Sequence, residues 1–232
     1  MSVGDSCLVY VSSKSTWQPP EDWRHNRSFK LAVAAYDAPP TCQDADYLFY
    51  GDLEKFRGAK EYMGNFLLDF RAVAFLDDDI EVTAEELALL FNLGLRGSYF
   101  VWQPALSADS YYSWKNTVLD PRYANEPGGG AAPAEFIEVM CPFFSRQGLG
   151  QVLPLFDLNY GGWGLDVIWS EMWPQAKKAI LHGLPVGHHR PIRSCDRKMP
   201  NGLTKIQELA ELLDARGLRT YWDRFRLSAS CR

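Results

Sequence analysis

The chain has 232 residues, of which 47% are hydrophobic and 14% aromatic, enough for one large domain with a real core. A formal net charge of −5 and the lack of a basic, aromatic-rich motif argue against nucleic acid as a partner. No run of about 18 apolar residues occurs, and the first residues lack the basic and apolar regions of a signal peptide. We therefore expect a folded protein without a membrane span.

The cysteines indicate the compartment. There are five, an odd number, and none forms a Cys-x-x-Cys pair. This pattern favours neither a disulfide framework nor a zinc knuckle, so we expect a reducing, cytoplasmic setting.

Short apolar runs near the amino terminus predict buried parallel strands. The runs Cys7 to Ser13 and Phe29 to Asp37 both end in polar residues, and Ala72 to Leu76 is a third. Between the last two, residues Asp52 to Leu68 carry apolar side chains at the three- and four-residue spacing of a helix. This order predicts a single α/β domain with a Rossmann-type, mixed but mainly parallel sheet flanked by helices.

Three consecutive carboxylates follow the third of these runs. Asp77, Asp78 and Asp79 repel one another unless a positive charge lies beside them, and a divalent cation is the usual solution. Hard oxygen ligands at the carboxyl end of a strand suit Mg²⁺ or Mn²⁺, which keep positions open for the phosphates of a nucleotide. The alternative is a solvated acidic turn that introduces the next helix. That helix already has its own capping box in Thr83 to Glu86, so the sequence favours the metal-diphosphate interpretation without excluding the other.

The remainder of the chain alternates predicted strands with helices. Residues Tyr160 to Trp169 place three glycines, Trp163 and Asp166 before an apolar helix, where glycines would let a backbone approach a ligand. Asp166 is equally expected as a first-turn charge on that helix. His188 is either a metal ligand or a structural histidine. The other predicted elements are strands at Tyr99 to Gln103, Phe136 to Met140 and Lys178 to Val186, a short helix at Gln147 to Phe156, a flexible loop at Gly128 to Pro133 and an amphipathic helix at Leu203 to Leu213.

Four segments together resemble a plant and bacterial domain family of unknown function, whose plant members carry the misleading label lysine-ketoglutarate-reductase trans-splicing related. That family in turn resembles nucleotide-sugar glycosyltransferases of the GT-A fold. The resemblance runs from about Tyr47 to Pro191. The segments that carry it are Phe75 to Asp79, Glu138 to Arg146, Gly162 to Asp166 (the most specific) and Val186 to His188.

The resemblance implies a set of site residues. Asp77 and Asp79 match the outer acids of an Asp-x-Asp motif that binds donor and metal, and His188 matches a downstream metal ligand. Because Asp78 replaces a different middle residue, which two of the three acids touch the ion stays open. Asp166 matches the catalytic base of inverting members. The remaining implied contacts are Val11, Asp37, Lys60, Asp77 and Asp78 for the nucleotide, and Trp163, Gly164 and Glu138 for the sugar or acceptor.

The predicted function is metal-dependent transfer of a sugar from a nucleotide-sugar donor to a glycan or other hydroxyl acceptor, with inversion. The expected organisation is a GT-A-like domain over residues 1–192, with a nucleotide-binding half at 1–80 and an acceptor half at 97–192. A helical extension at 193–232 would pack on it. An isolated cytoplasmic enzyme and a domain of a larger polysaccharide-synthesis protein both fit. A nucleotidyltransferase, a nucleotide-sugar binding protein and a glycan-binding, lectin-like module stay open as alternatives, and the oligomeric state is not readable.

Overall fold

A computed structural model of the chain describes residues 6–191 and 197–219. Nine strands form its sheet, in the order β3-β2-β1-β4-β8-β6-β9-β5, with β7 on β9. The strands are β1 Cys7–Ser13, β2 Lys30–Ala35, β3 Tyr47–Tyr50, β4 Ala72–Asp77, β5 Ile80–Glu81, β6 Val101–Leu106, β7 Ala131–Pro133, β8 Phe143–Ser145 and β9 Lys178–His188. The helices are α1 Glu21–Asn26, α2 Lys55–Met63, α3 Ala84–Arg96, α4 Pro121–Ala124, α5 Pro127–Gly130, α6 Arg146–Val152, α7 Leu165–Met172 and α8 Lys205–Ala215.

The sheet is mixed and mainly parallel. Strands β1 to β4 are mutually parallel, and β6 is parallel to β9. Strand β8 lies antiparallel between β4 and β6, so those two run in the same direction, while β5 and β7 are antiparallel to β9. The predicted single α/β domain with a mainly parallel sheet and flanking helices is therefore confirmed.

Alternating side chains of the central strands bury both faces of the sheet. In β1, Leu8 and Tyr10 belong to one core cluster, and Val9 and Val11 belong to the other. The first cluster also contains residues of α2, α6 and α7, whereas the second contains residues of α1 and α3. Helices on both faces explain why these strands read as continuous apolar runs in the sequence.

Local signals account for several element boundaries. The predicted capping box of α3 is present, with Thr83 accepting the Glu86 amide and Glu86 accepting the Thr83 amide. Helix α8 begins with a second capping box, formed by Thr204 and Gln207. None of the helices in the described part of the chain is long and apolar enough to span a bilayer.

Two predicted elements are wrong. The residues Phe136 to Met140 form no strand, because their amides bond to side chains instead of a ladder: Ile137 N–H donates to Ser170 Oγ, and Glu138 N–H donates to Gln103 Oε1. The loop at Gly128 to Pro133, predicted from its glycine and proline content, is also wrong. These residues divide between the short helix α5 and strand β7.

The carboxyl-terminal helix α8 packs on the body of the domain. Leu209 and Leu213 join Phe136 and Val167 in a third core cluster. The expected extension at 193–232 is described only at 197–219, and Cys195 and Cys231 lie outside the described residues. Cys7, Cys42 and Cys141 are free thiols.

Candidate active site

The polar ends of the parallel strands meet at one edge of the sheet. Strands β1 and β4 are paired in register from Cys7 and Ala72 to Ser12 and Asp77, so the residues after Ser12 lie beside the acidic triplet. A cavity of about 440 Å³ opens there, and we call it the central cleft. It is lined by Ser12, Lys14, Tyr36, Asp52, Leu53, Glu54, Lys55, Asp77, Asp78, Asp79, Met140, Trp163, His188, Arg190, Pro191, Arg197 and Lys205.

A short antiparallel pairing brings the predicted metal residues together. Strand β5 pairs with the end of β9 so that Ile80 is opposite His188, which places Asp79 beside that histidine. The Asp79 Oδ2 atom lies 3.5 Å from His188 Nε2. His188 Nδ1 donates to the Tyr111 carbonyl at 2.8 Å, which orients Nε2 towards the carboxylate.

This pair shifts the pKa of both partners. Burial alone would raise the pKa of Asp79, but the hydrogen bond and charge of His188, together with Arg190, lower it. Burial likewise opposes the protonated form of His188, yet the bonds to Asp79 and Tyr111 raise its pKa. The two groups therefore stabilise each other as an ion pair.

The other two acids of the triplet also meet basic groups. Lys55 Nζ lies 2.6 Å from Asp77 Oδ1 and also donates to the carbonyls of Val139 and Met140. Arg190 bonds Asp78 Oδ1 at 3.1 Å and Asp79 Oδ2 at 3.2 Å. Burial raises the pKa of Asp78, and Arg190 opposes that rise.

Two aromatic residues fix and flank the triplet. Trp17 Nε1 donates to the Asp78 carbonyl at 3.0 Å, which anchors the turn. Trp163 lines the central cleft together with the acids, so the structure brings this predicted sugar contact to the predicted metal residues. Val11 lies instead on a neighbouring cavity of about 810 Å³ that shares the triplet with the central cleft.

Glu138 and Asp166 lie behind the cleft and are almost fully buried, with exposed fractions of 3% and 5%. Asp166 Oδ1 accepts the amides of Gly164 and Val167 at the start of α7. Burial raises the pKa of Asp166 to about 7. Burial, and then the charge of Asp166, raise the pKa of Glu138 to about 8. Neither side chain lines the central cleft.

The glycines before Asp166 serve packing. Gly164 has φ +92°, and a Cβ atom there would lie 2.8 Å from Leu209 Cδ1 of α8. Glu208 of the same helix accepts the amides of Tyr160 and Gly161. In the structure the backbone of this motif thus approaches α8, where the sequence predicted an approach to a ligand.

Two predicted nucleotide contacts are engaged elsewhere. Asp37 Oδ1 accepts the Ser15 amide at 2.6 Å, and this bond is the largest cause of its lowered pKa. Lys60 binds Asp157 and the Pro154 carbonyl. Tyr36, which precedes Asp37, and Lys55, five residues before Lys60 on the same helix, line the central cleft instead.

Sequence reasoning did not find Lys55, Arg190, Lys14 or Tyr36. A signal existed for Arg190, because alternate residues of an extended segment point to the same side and Arg190 follows His188 by two. For Lys55 the signal was its position at the first residue of α2, the end of the helix nearest the strand termini. Lys60 is five residues further along, about 7.5 Å on a helix axis.

No protein-family model matches this sequence, and none of the curated proteins does. The sequence resemblance described above therefore stays a prediction. Among solved structures, TarS from S. aureus, residues 1–349, matches with a TM-score of 0.44 and 12% identity over 78% of this chain. The match covers 59% of the TarS chain. A similarity of this size says nothing about substrate, cofactor or reaction.

Proposed function

We propose that the protein transfers a sugar from a nucleotide-sugar donor to a hydroxyl acceptor, with a divalent cation and with inversion. The observation that carries this proposal is the Asp79–His188 pair, which two separate strand ends bring together in a cleft lined by basic side chains. A cleft at the carboxyl ends of parallel strands is where α/β proteins bind nucleotides.

The donor set suits a cation that substrate oxygens help to coordinate. The described residues contain no group of three or more His, Cys, Asp or Glu side chains arranged to enclose an ion. Mg²⁺ and Mn²⁺ commonly bind through one or two protein ligands, with water and phosphate oxygens completing the shell. Asp79 and His188 would supply those ligands, and Asp77, held by Lys55, would not. When bound, the ion would neutralise charge that develops on the departing nucleoside diphosphate.

The basic side chains of the cleft would bind the diphosphate. Lys14 is exposed, and no ion-pair partner for it exists within residues 6–191 and 197–219. Arg190, which now bonds Asp78 and Asp79, can exchange one carboxylate for a phosphate oxygen, the bidentate partner that guanidinium groups favour. Tyr36 also lines the cleft and would stack on the base.

The acceptor hydroxyl needs a base, and we assign this role to Asp166, which would take the proton through a bridging water because its side chain does not line the central cleft. A pKa of about 7 is near the optimum for proton removal at neutral pH. Trp163, on the cleft side of the same motif, would hold the sugar face.

The deciding experiment measures Mn²⁺ binding by electron paramagnetic resonance, with and without UDP or GDP. We expect the nucleotide to strengthen Mn²⁺ binding, and Asp79→Asn and His188→Gln each to weaken it at least about tenfold, the loss typical even of residues that only support a ligand. Glu81→Gln is the matched control, since this exposed acid lies outside the central cleft and should leave binding unchanged.

Unchanged Mn²⁺ binding in both variants would refute the metal site. Product formation from UDP-, GDP- and dTDP-sugars then separates transfer from mere nucleotide-sugar binding. Nucleotide and ion binding without any sugar release would favour the binding-protein alternative.

A further inference from the structure

A second cavity of about 720 Å³ shares no lining residue with the central cleft. The segment after β6 separates the two. Tyr111 exchanges hydrogen bonds with His188 on the cleft side, while the next residue, Tyr112, lines the second cavity. Other side chains on the cavity wall belong to Lys115, Asn116, Asp120, Tyr123 and His182.

A buried histidine presents a hydrogen-bond donor to this cavity. His182, in β9, is 4% exposed, and its Nδ1 accepts the Asp120 amide at 3.1 Å. The proton of the neutral ring must therefore be on Nε2, and burial lowers the pKa of His182 against the opposing charge of Asp120, which favours the neutral ring.

No acceptor for that Nε2 proton occurs within the described ranges. The fully buried side-chain polar atoms that lack a partner in those ranges are the hydroxyls of Tyr10 and Tyr62. His182 Nε2 is not among them, so it is accessible from the cavity.

An aromatic surface lies beside this donor. The Tyr123 ring stacks on His182 with a centroid distance of 5.4 Å and an interplanar angle of 24°. It is 36% exposed. Arg122 lies 5.7 Å from the same ring and is bonded through two nitrogens to Asp120, so the charge on this wall is compensated.

The combination selects a class of ligand. The charged side chains balance, Lys115 and Arg122 against Asp120 and Glu135, which favours neither an anion nor a cation. A partly exposed tyrosine ring beside a neutral N–H donor, with the Asn116 amide and a second tyrosine nearby, matches a ring that carries hydroxyls on its edge and C–H groups on its face.

We propose that this cavity is a binding site for neutral oligosaccharides, separate from the central cleft. Tyr123 stacks on one sugar ring, and His182 Nε2–H donates to a hydroxyl or ring oxygen of the bound sugar. This inference goes beyond the proposed transfer reaction and does not depend on it, because a protein without glycosyltransferase activity would still bind glycans here.

The test is calorimetric titration with cellotetraose, maltotetraose, mannotetraose and chitotetraose. At least one should bind the wild-type protein. Tyr123→Ala should weaken its binding about tenfold, the effect of losing a good stacking contact. Trp163→Ala, which removes the tryptophan of the central cleft, should leave this binding unchanged.

Two substitutions of His182 separate its donor from its structural bond. In His182→Asn, the amide oxygen replaces Nδ1 as acceptor for Asp120, but the Nε2 donor is gone. In His182→Gln, the amide nitrogen reaches the Nε2 position. We expect His182→Asn to lose affinity for the oligosaccharide and His182→Gln to retain more of that affinity.

Three results would overturn the site: no oligosaccharide binds, Tyr123→Ala binds as the wild type does, or Trp163→Ala is the variant that loses binding. Tyr123 is partly exposed and its variant should fold, so the test stands even where thermal unfolding shows that a His182 variant is damaged. Mn²⁺ binding at Asp79 and His188 should persist in Tyr123→Ala, which keeps this result distinct from failure of the proposed function.

Discussion

Two groups of carboxylates at the candidate active site are stabilised in opposite ways. Asp77, Asp78 and Asp79 lie at the cleft, and each contacts a basic side chain: Lys55, Arg190, or His188 with Arg190. Glu138 and Asp166 lie behind them, nearly fully buried, and within the described residues no lysine, arginine or histidine forms a salt bridge with either.

The buried pair is neutralised by protons. The pKa of Glu138 rises to about 8 and that of Asp166 to about 7, in both cases mainly because burial disfavours the charged form. Their polar partners are hydroxyls and backbone amides: Ser113 and Thr117 bond Glu138, with Thr117 Oγ1 at 3.5 Å from Glu138 Oε2, and amides bond Asp166.

Because the two groups of carboxylates are neutralised differently, they are suited to different chemistry. Carboxylates that are partly exposed and paired with basic groups can exchange those partners for a metal ion or give them up to a phosphate. A buried carboxyl group whose pKa is near neutrality can gain or lose a proton at little cost. Under the proposed function, the acids at the cleft would bind the cation and the buried carboxyl groups would transfer the proton.

The largest effect expected from breaking this arrangement is that of Asp166→Asn on turnover. Loss of a well-placed base lowers the rate about 10²- to 10⁴-fold. Product formation across pH should show an acid limb at about pH 7 in the wild type, because a base must be deprotonated, and no such limb in the variant.

Asparagine keeps an oxygen that can accept the Gly164 and Val167 amides, so thermal unfolding should show a folded variant with intact Mn²⁺ binding. Turnover equal to that of the wild type would reject Asp166 as the base and leave it a helix-capping residue.

A smaller effect is expected when Lys55, the lysine that contacts Asp77, is replaced. Lys55→Met leaves Asp77 without its ion pair and the Val139 carbonyl without its lysine donor, while the Met140 carbonyl keeps only the Asp77 amide. Breaking a fully buried pair costs about 3–5 kcal/mol, but the Asp77 side chain is 45% exposed, so we expect about 2 kcal/mol in urea unfolding.

The same helix offers a matched control. Lys60 and Asp157 form a pair of similar length, 2.7 Å, at the surface. Lys60→Met should cost less than about 1 kcal/mol. Equal losses for the two variants would mean that Lys55 contributes no more to stability than a surface cation does.

Much of this arrangement was predictable from the sequence. Strands buried on both faces give unbroken apolar runs, which is why β1, β2 and β4 were found. The three acids after β4 are recognisable in the sequence because adjacent carboxylates repel one another unless a positive charge lies beside them. The motif resemblance placed His188 with Asp79, and the β5–β9 pairing brings those two residues together.

The rest depends on tertiary contacts that no local pattern encodes. Residues Phe136 to Met140 have the composition of a strand, but Gln103 and Ser170, distant in sequence, capture their amides. Which lysine of α2 reaches the acids depends on how the helix starts relative to the sheet edge. The raised pKa of Glu138 depends on its burial beside Asp166, which its sequence neighbours do not reveal.

The last expected effect is one on stability alone, and it tests the buried layer. In the folded protein Glu138 keeps its proton to about pH 8, whereas the unfolded chain releases it near the ordinary value of 4.5. The folded state then binds more protons between these values, so this group makes the free energy of unfolding fall as pH rises from about 4.5 to about 8.

Glutamine holds the neutral shape at every pH, so Glu138→Gln should gain stability relative to the wild type across that window. We expect a gain of at least about 1 kcal/mol at pH 8, since one pKa unit corresponds to about 1.4 kcal/mol. Urea unfolding at several pH values measures it, with Glu85→Gln on the exposed side of α3 as control for the loss of one carboxylate. If the stability difference between the wild type and Glu138→Gln is the same at every pH, Glu138 is ionised in the folded protein. A positive charge must then lie near Glu138 and Asp166, which we describe as neutralised by protons.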